Sequence, residues 1–314
     1  MHILIIRPGA IGDMLLTFPI LQALKTHYDQ PQITLVGNPA VLPLALAWQL
    51  VEEVEDYADL KWSELFSTQG IQNTALKKQL ARTNLAVCWM RDPDGLVAQN
   101  LHAAGVKHVI VAPGKPPQGR RIHVVDYLAE TLSINMLQGA EVSHKVGDPL
   151  WGRGNGRNEA WEPGLPYVDQ PIAIHPGSGG AQKCWPISSF AAIIQYLWQH
   201  NYPVLLLAGP ADHERMAQLQ KLLVHPPQAE MLHILLDAPL LEVAQVLQQC
   251  RGYLGNDAGI THLAAMLGLP TIVLFGPSDP TVWRPLGPSV EVVHQPILAQ
   301  LPVEIVIEHL KHRL

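Results

Sequence analysis

Short β-rich runs alternate with helix-like segments along most of this chain, and that alternation limits its fold more than any other feature. The runs "HILII" (2–6), "QITLV" (32–36), "LAVCW" (85–89) and "HVIVA" (108–112) are separated by segments with helical spacing at 14–27, 71–82 and 123–136. Strands alternating with helices imply a parallel sheet covered on both faces. The pattern breaks over 138–170, where "WGRGNGRNEAWEPGLP" has the Gly, Asn and Pro content of a linker. It then restarts with "PIAIH" (171–175), "PVLLLAG" (203–209), "LHILL" (232–236), "GYLGN" (252–256) and "PTIVLFG" (270–276). The intervening helices are expected at 188–200, 211–223, 240–250 and 259–268, with a last one at 302–313. The expected class is α/β with two units. One is a first domain over 1–150 and the other a second domain over 171–300, with 151–170 as linker. Helix 302–313 is expected to pack back near the junction. Open α/β sheets bind ligands at the carboxyl ends of their strands, so the loops there should face a cleft between the units.

Length and charge narrow the function classes. A chain of 314 residues can build two cores without disulfide staples. A net charge of -6 argues against broad nucleic-acid binding, although it leaves room for a local basic patch. Cys88, Cys184 and Cys250 are far apart with no CxxC, which reads as isolated thiols in a reducing compartment. Arg7, Gly9, Gly12 and Asp13 interrupt any signal-peptide h-region, and no apolar run has the length of a membrane span. These features make a cytoplasmic protein the expectation.

Polar chemistry concentrates after the strands. "RPGAIGDMLL" (7–16) follows the first strand with Gly9 and Gly12, where a phosphate loop would lie, yet it ends on the acid Asp13 directly before the helix at 14–27. "HPGSGGAQKCWP" (175–186) places Gly177, Gly179 and Gly180 after a strand. Backbone N–H groups there could approach a phosphate, and Lys183 could add charge; a solvated surface loop is the plainer alternative. In "GPADHE" (209–214), Asp212 or Glu214 could hold a ribose diol, but by spacing alone capping of the next helix explains both. "GNDAGITHLAAMLGLP" (255–270) ends a strand at Asp257 and starts a helix at once. N–H groups near Ala258, Gly259 and Ile260 could hold a phosphate there. Asp257 reads as a cap or as a ligand-positioning acid, and His262 by default as a core histidine. "FGPSDPTVWRPLGP" (275–288) says only loop. "DPDG" (92–95) fits a type I turn better than a metal motif, and no metal-ligand spacing occurs among the 15 histidines. No GxGxxG follows either first strand, which argues against NAD.

Taken in order, three of these stretches resemble glycosyltransferase family 9, the ADP-heptose:lipopolysaccharide heptosyltransferases. "RPGAIGDMLLTFPILQALK" is similar to the family's N-terminal loop and first helix, "HPGSGGAQKCWP" to its phosphate-side loop, and "GNDAGITHLAAMLGLPTIVLFGPSDP" to its longest motif. The resemblance implies a GT-B fold: two Rossmann-like domains across a cleft, acceptor on the first and nucleotide sugar on the second. It implies inverting transfer of a sugar, with ADP-heptose as substrate, to a hydroxyl of a lipopolysaccharide core or similar glycan. No metal and no resident cofactor are expected. The implied partners are the nucleotide sugar and a glycan or glycolipid acceptor, with peripheral contact at the inner face of the cytoplasmic membrane and no nucleic acid.

Roles follow from the resemblance. Asp13 becomes the general base, since the attacking hydroxyl must lose its proton as the new bond forms. A carboxylate also stabilises an oxocarbenium-like transition state. By position Asp13 could equally cap its helix. Ser178, Gly179, Lys183, Glu214, Asp257, Ala258, Gly259 and His262 are assigned to the donor, where Lys183 and the 258–260 helix start would neutralise the leaving diphosphate. Ala258 departs from the family, which often has Thr or Ser there, and loop 176–182 departs in length. Arg7, Arg120 and Arg121, with Arg91 and Lys115 nearby, suit an anionic acceptor or a solvated basic loop. The competing readings are another transferase or an epimerase on the same fold with a different nucleotide sugar, and a non-catalytic nucleotide-sugar binder.

Overall fold

The structure, a computed structural model, describes residues 1–132, 170–223 and 226–313. Positions 151–169 of the expected linker and the end of the 123–136 helix lie outside the described residues. The chain divides into two compact units, Met1–His144 and Lys145–Leu314.

The first unit carries β1 (His2–Arg7), β2 (Gln32–Gly37), β3 (Glu53–Asp56), β4 (Leu85–Trp89) and β5 (His108–Ala112). They form one sheet in the order β3-β2-β1-β4-β5, with every pair parallel. All five residues of β4 are buried. A strand covered by helices on both faces needs apolar residues throughout rather than at alternate positions. β3, "EVED", has no such signal and was not expected from the sequence. It forms because β2 offers a free edge, and its charges suit an edge strand, since they discourage pairing with another chain.

The single helix expected at 14–27 is two: α1 (Ile11–Leu15) and α2 (Phe18–His27). Pro19 is responsible. Inside a longer helix it would lack an N–H and clash with the preceding turn, whereas in the first turn of α2 it costs little. After α3 (Leu42–Ala47), α4 (Thr74–Arg82) is stopped at its N-terminus by Asn73, whose side chain accepts from Leu76 N at 2.9 Å. Asp92 starts α5 (Leu96–Ala103) similarly, accepting from Val97 N and Ala98 N. The turn expected at "DPDG" is present, with Gly95 N donating to Asp92 O at 3.2 Å. α6 (Val124–Thr131) packs against α2.

The second unit holds β6 (Ile172–His175), β7 (Val204–Ala208), β8 (Leu232–Leu236), β9 (Gly252–Asn256), β10 (Thr271–Phe275) and β11 (Val290–His294). The order is β11-β10-β9-β6-β7-β8, again wholly parallel. Its helices are α7 (Ile187–Gln199), α8 (His213–Leu222), α9 (Leu240–Leu247), α10 (Gly259–Met266), α11 (Pro280–Trp283) and α12 (Val303–Arg313). The core joins Ile174, Leu206 and Leu274 of the sheet to Phe190 and Leu197 of α7 and to Val306 and Leu310 of α12. α12 packs on α7 within this unit.

Both strand orders contain a switch point. In the first sheet the chain moves outward from β1 to β3, then returns to β4 on the other side. In the second it moves from β6 to β8, then returns to β9. At such a point the two flanking loops diverge to opposite faces and leave a crevice at the strands' carboxyl ends. The loops involved are those after β1 and β4, and those after β6 and β9.

Candidate functional site

At the second switch point the loop after β6 meets the loop after β9. Asn256, the last residue of β9, is fully buried and its amide is used completely. Its Oδ1 accepts from Trp185 N at 2.9 Å, while Nδ2 donates to Pro176 O at 2.9 Å and to Gly177 O at 3.1 Å. Behind it, Tyr253 and Thr261 share a hydrogen bond, and Thr261 Oγ1 donates to Asn256 O. Arg215 of α8 ties down the same loop by donating to Pro176 O and Trp185 O. The segment 176–185, which contains the glycine loop, is therefore anchored at both of its ends, and a surface loop with no fixed shape does not describe it.

Trp185 fixes the loop's far end. It is fully buried, donates Nε1 to Leu301 O at 3.1 Å, and meets Phe190 edge-on at 5.3 Å between ring centroids. Trp185→Ala should cost about 3–5 kcal/mol, the usual range for emptying a large aromatic site. Urea unfolding of the two proteins would measure it, and a change below about 1 kcal/mol would show that this anchor is dispensable.

The donor candidates converge in this unit. Lys183 Nζ lies 2.8 Å from Asp257 Oδ2, and Ser178 Oγ donates to Asp257 O at 2.7 Å. Asp257 is almost buried, while the Lys183 side chain keeps 38% of its exposure. The ammonium is thus held at the rim by a carboxylate beneath it. Immediately after Asp257, α10 begins with Ala258 as an extended N-cap that offers no side-chain hydrogen bond. The first N–H groups of a helix have no partner inside it, and here no side chain caps them. Together with the helix dipole they favour an anion beside Lys183. Ala258 and Gly259 are half-buried there, Gly179 is exposed, and His262 is buried one turn into α10. Glu214 is exposed in the first turn of α8, where Gln218 Nε2 donates to it at 3.2 Å.

His175 and Asp212 form a buried pair that the sequence reading did not assemble. His175 Nε2 is 3.0 Å from Asp212 Oδ2, which also accepts from Gly209 N at 3.0 Å. A Cβ on Gly177 would come within 1.8 Å of Asp212 Oδ1, so only glycine permits this close approach. Burial alone would raise the Asp212 carboxyl, but the hydrogen bond and charge of His175, with Gly209 N and Arg215, leave it below the ordinary carboxylate range. A depressed folded-state pKa contributes stability above the unfolded value, and that stability is lost as pH falls through the folded value. The deficit of Asp212→Asn relative to the parent should therefore be largest near neutral pH and shrink below about pH 4. Urea unfolding at pH 7 and pH 3 tests this; an equal deficit at both would remove the charge from the argument. The signal available in the sequence was that His175 ends a strand and Asp212 lies in the loop just after one. That β6 and β7 are neighbours was not written there.

At the first switch point the acid Asp13, expected just before its helix, sits inside it as the third residue of α1. Its Oδ2 accepts from Ala10 N at 3.2 Å, so it satisfies the helix start by reaching back to it. Its Oδ1 receives Arg7 Nη2 at 3.2 Å. Arg7, expected at the acceptor, is 3% exposed and turned onto Asp13. Burial lowers the guanidinium's pKa while Asp13 acts to raise it. The other basic residues of this unit are placed differently. Arg120 is exposed and pairs with Glu130 at 2.6 Å, and Arg91, Lys115 and Arg121 are exposed as well.

Comparison with known proteins adds a family to this geometry. Residues 153–305 match the family model of glycosyltransferase family 9 (heptosyltransferase). Lipopolysaccharide heptosyltransferase 2 of Salmonella typhimurium is 29% identical over 123 residues, 39% of this chain and 35% of that protein. The matched stretch thus spans about a third of that relative's length. Among solved structures, E. coli ADP-heptose lps heptosyltransferase II superposes with a TM-score of 0.75 at 22% identity, covering 99% of this chain and 98% of the other. E. coli heptosyltransferase WaaC with ADP gives 0.68 at 19% identity over the whole of both chains.

Proposed function

From the match of residues 153–305 to glycosyltransferase family 9 we propose that the chain transfers a heptose from ADP-heptose to a hydroxyl of a lipopolysaccharide core or similar glycan. The observation that carries the proposal is the cradle at the β6/β9 switch point. There Lys183, Ser178 and Asp257 meet the uncapped start of α10. A nucleoside diphosphate leaving group develops negative charge as its bond to the sugar breaks. A fixed ammonium and a helix N-terminus stabilise that charge without having to reorganise. The heptose follows from the heptosyltransferase relatives, and the nucleotide from the similar fold of a heptosyltransferase with ADP.

Asp13 takes the proton of the attacking hydroxyl in this reading. One third of its side chain is exposed, so the carboxylate can meet an acceptor while Ala10 N and Arg7 hold it from behind. Attack opposite the leaving nucleotide inverts the anomeric centre, and the configuration of the product, read by NMR, tests that. Arg120 and Arg121 in the loop before α6 are the proposed contacts to an anionic acceptor. Glu214 is proposed at the donor's ribose and His262 near its sugar. The donor is a substrate, and neither a resident cofactor nor a metal ion takes part. Full turnover in excess EDTA is therefore expected, and a strict need for magnesium would overturn this point.

Among the described residues no helix is long and apolar enough to cross a membrane. The proposed setting is the cytoplasm, with contact at the inner face of the membrane where a lipid-linked acceptor would be met. A screen of nucleotide sugars by thermal shift, followed by product analysis with and without acceptor, tests the function. ADP-heptose should raise the melting temperature by mass action and be consumed only when an acceptor is present. Conversion of a nucleotide sugar without acceptor would indicate an epimerase, and binding without turnover a non-catalytic binder.

A further inference from the structure

Arg7 is expensive where it stands. It is 3% exposed at the end of β1, directly after the four buried aliphatic residues 3–6, and its Nε has no hydrogen-bond partner. For stability alone an apolar side chain in such a place is often as good or better. The surroundings nevertheless make room for it. A Cβ on Gly114 would lie 1.7 Å from Arg7 Nη1 and 3.1 Å from Trp89 O, so the backbone after β5 passes at a distance only glycine allows. The guanidinium then reaches Asp13 Oδ1 with Nη2 at 3.2 Å, while Ala10 N takes Oδ2.

From this arrangement we infer that Arg7 is a positioning residue for Asp13, acting from beneath the carboxylate rather than touching the acceptor. The inference rests on the reading of Asp13 as the base. Two donors of fixed direction, one on each oxygen, leave the carboxylate a single orientation. One third of the side chain remains exposed, which leaves the carboxylate room to accept from one incoming hydroxyl. This explains an acid at the end of a glycine loop where an anion would otherwise bind: a positive charge is built in below it. Gly114 is the second half of the device, because any side chain there would push the guanidinium off its seat.

Steady-state kinetics and ADP titration on the full chain test this through Arg7→Ala, Gly114→Ala and the double variant Arg7→Ala/Asp13→Asn. Arg7→Ala should lower kcat roughly 10²-fold, the scale of misplacing a reacting group by about 1 Å, with acceptor KM and ADP affinity within about twofold. In the Asp13→Asn background the same substitution should cost nothing further, since non-additivity is the mark of a shared step. Added guanidinium ion should restore part of the Arg7→Ala activity. Gly114→Ala should lose turnover in the same manner while Arg7 is retained, which keeps the question answerable if Arg7→Ala folds poorly. A folded Arg7→Ala or Gly114→Ala with full turnover overturns the inference. So does an additive loss in the double variant, or a loss confined to acceptor KM. An active Asp13→Asn would instead remove the base reading itself, and the inference with it; that result is distinguishable because it does not involve Arg7.

Discussion

Asp13→Asn is expected to reduce turnover by roughly 10²–10⁴, the contribution of a positioned acid or base, while leaving ADP binding intact. The ADP cradle is made by residues 178–183 and 257–260 of the second unit, and Asp13 belongs to the first. Asn can still accept from Ala10 N, so the start of α1 should survive. Its amide serves Arg7 less well than a carboxylate does, and the buried guanidinium loses its counter-charge. The melting transition should therefore move down by an amount equivalent to about 1–2 kcal/mol, a charged hydrogen bond replaced by a weaker one. This differs from a purely capping residue, for which Asn would be nearly equivalent. A folded Asp13→Asn with near-normal turnover would place the base elsewhere. A variant that is inactive only because it is unfolded would make Asp13 a structural residue.

Lys183→Ala should weaken ADP by roughly 1.5–3 kcal/mol, the usual range for hydrogen bonds to charged groups, or about 10–150-fold in affinity. Two effects act in the same direction. The diphosphate loses an ammonium at the rim of the cradle, and Asp257 loses the cation that now neutralises it at 2.8 Å. An almost buried carboxylate left without its partner repels an incoming anion. Lys183→Ala/Asp257→Asn separates the two effects. If Asp257 repulsion matters, the double variant should recover part of the affinity lost by Lys183→Ala. Isothermal titration calorimetry at fixed ionic strength measures both, and unchanged ADP affinity in Lys183→Ala would remove the lysine from the site.

Much of the α/β alternation was determined by the sequence alone, because a strand buried on both faces must be apolar throughout. "LAVCW" and "PVLLLAG" could belong to little else, and they became β4 and β7. The glycine loop with Lys183 and the Asn256–Asp257 strand end were legible for the same local reason: polar residues and glycines crowd where a strand stops and a helix starts. Strands such as "EVED" were not legible, since an edge strand is held by its neighbour's backbone and not by its own side chains. Nor could the length of the first helix be read from apolar spacing alone, which runs past Pro19 as if it were not there.

What joined the pieces was sheet order. His175 and Asp212 are 37 residues apart, and Asn256 lies 80 residues from the Pro176 carbonyl it binds. Each pair meets because β6 lies between β7 and β9 in the sheet. Arg7 shows the same limit most sharply. In the sequence it is a basic residue at a strand end, indistinguishable in kind from Arg91 or Arg120. Only the close passage of Gly114 beside β1 buries its charge and turns it onto Asp13. A local sequence specifies which groups are charged and which backbone can bend. Which charge is desolvated, and against which partner, depends on chain segments 100 residues away and was decided by the tertiary structure.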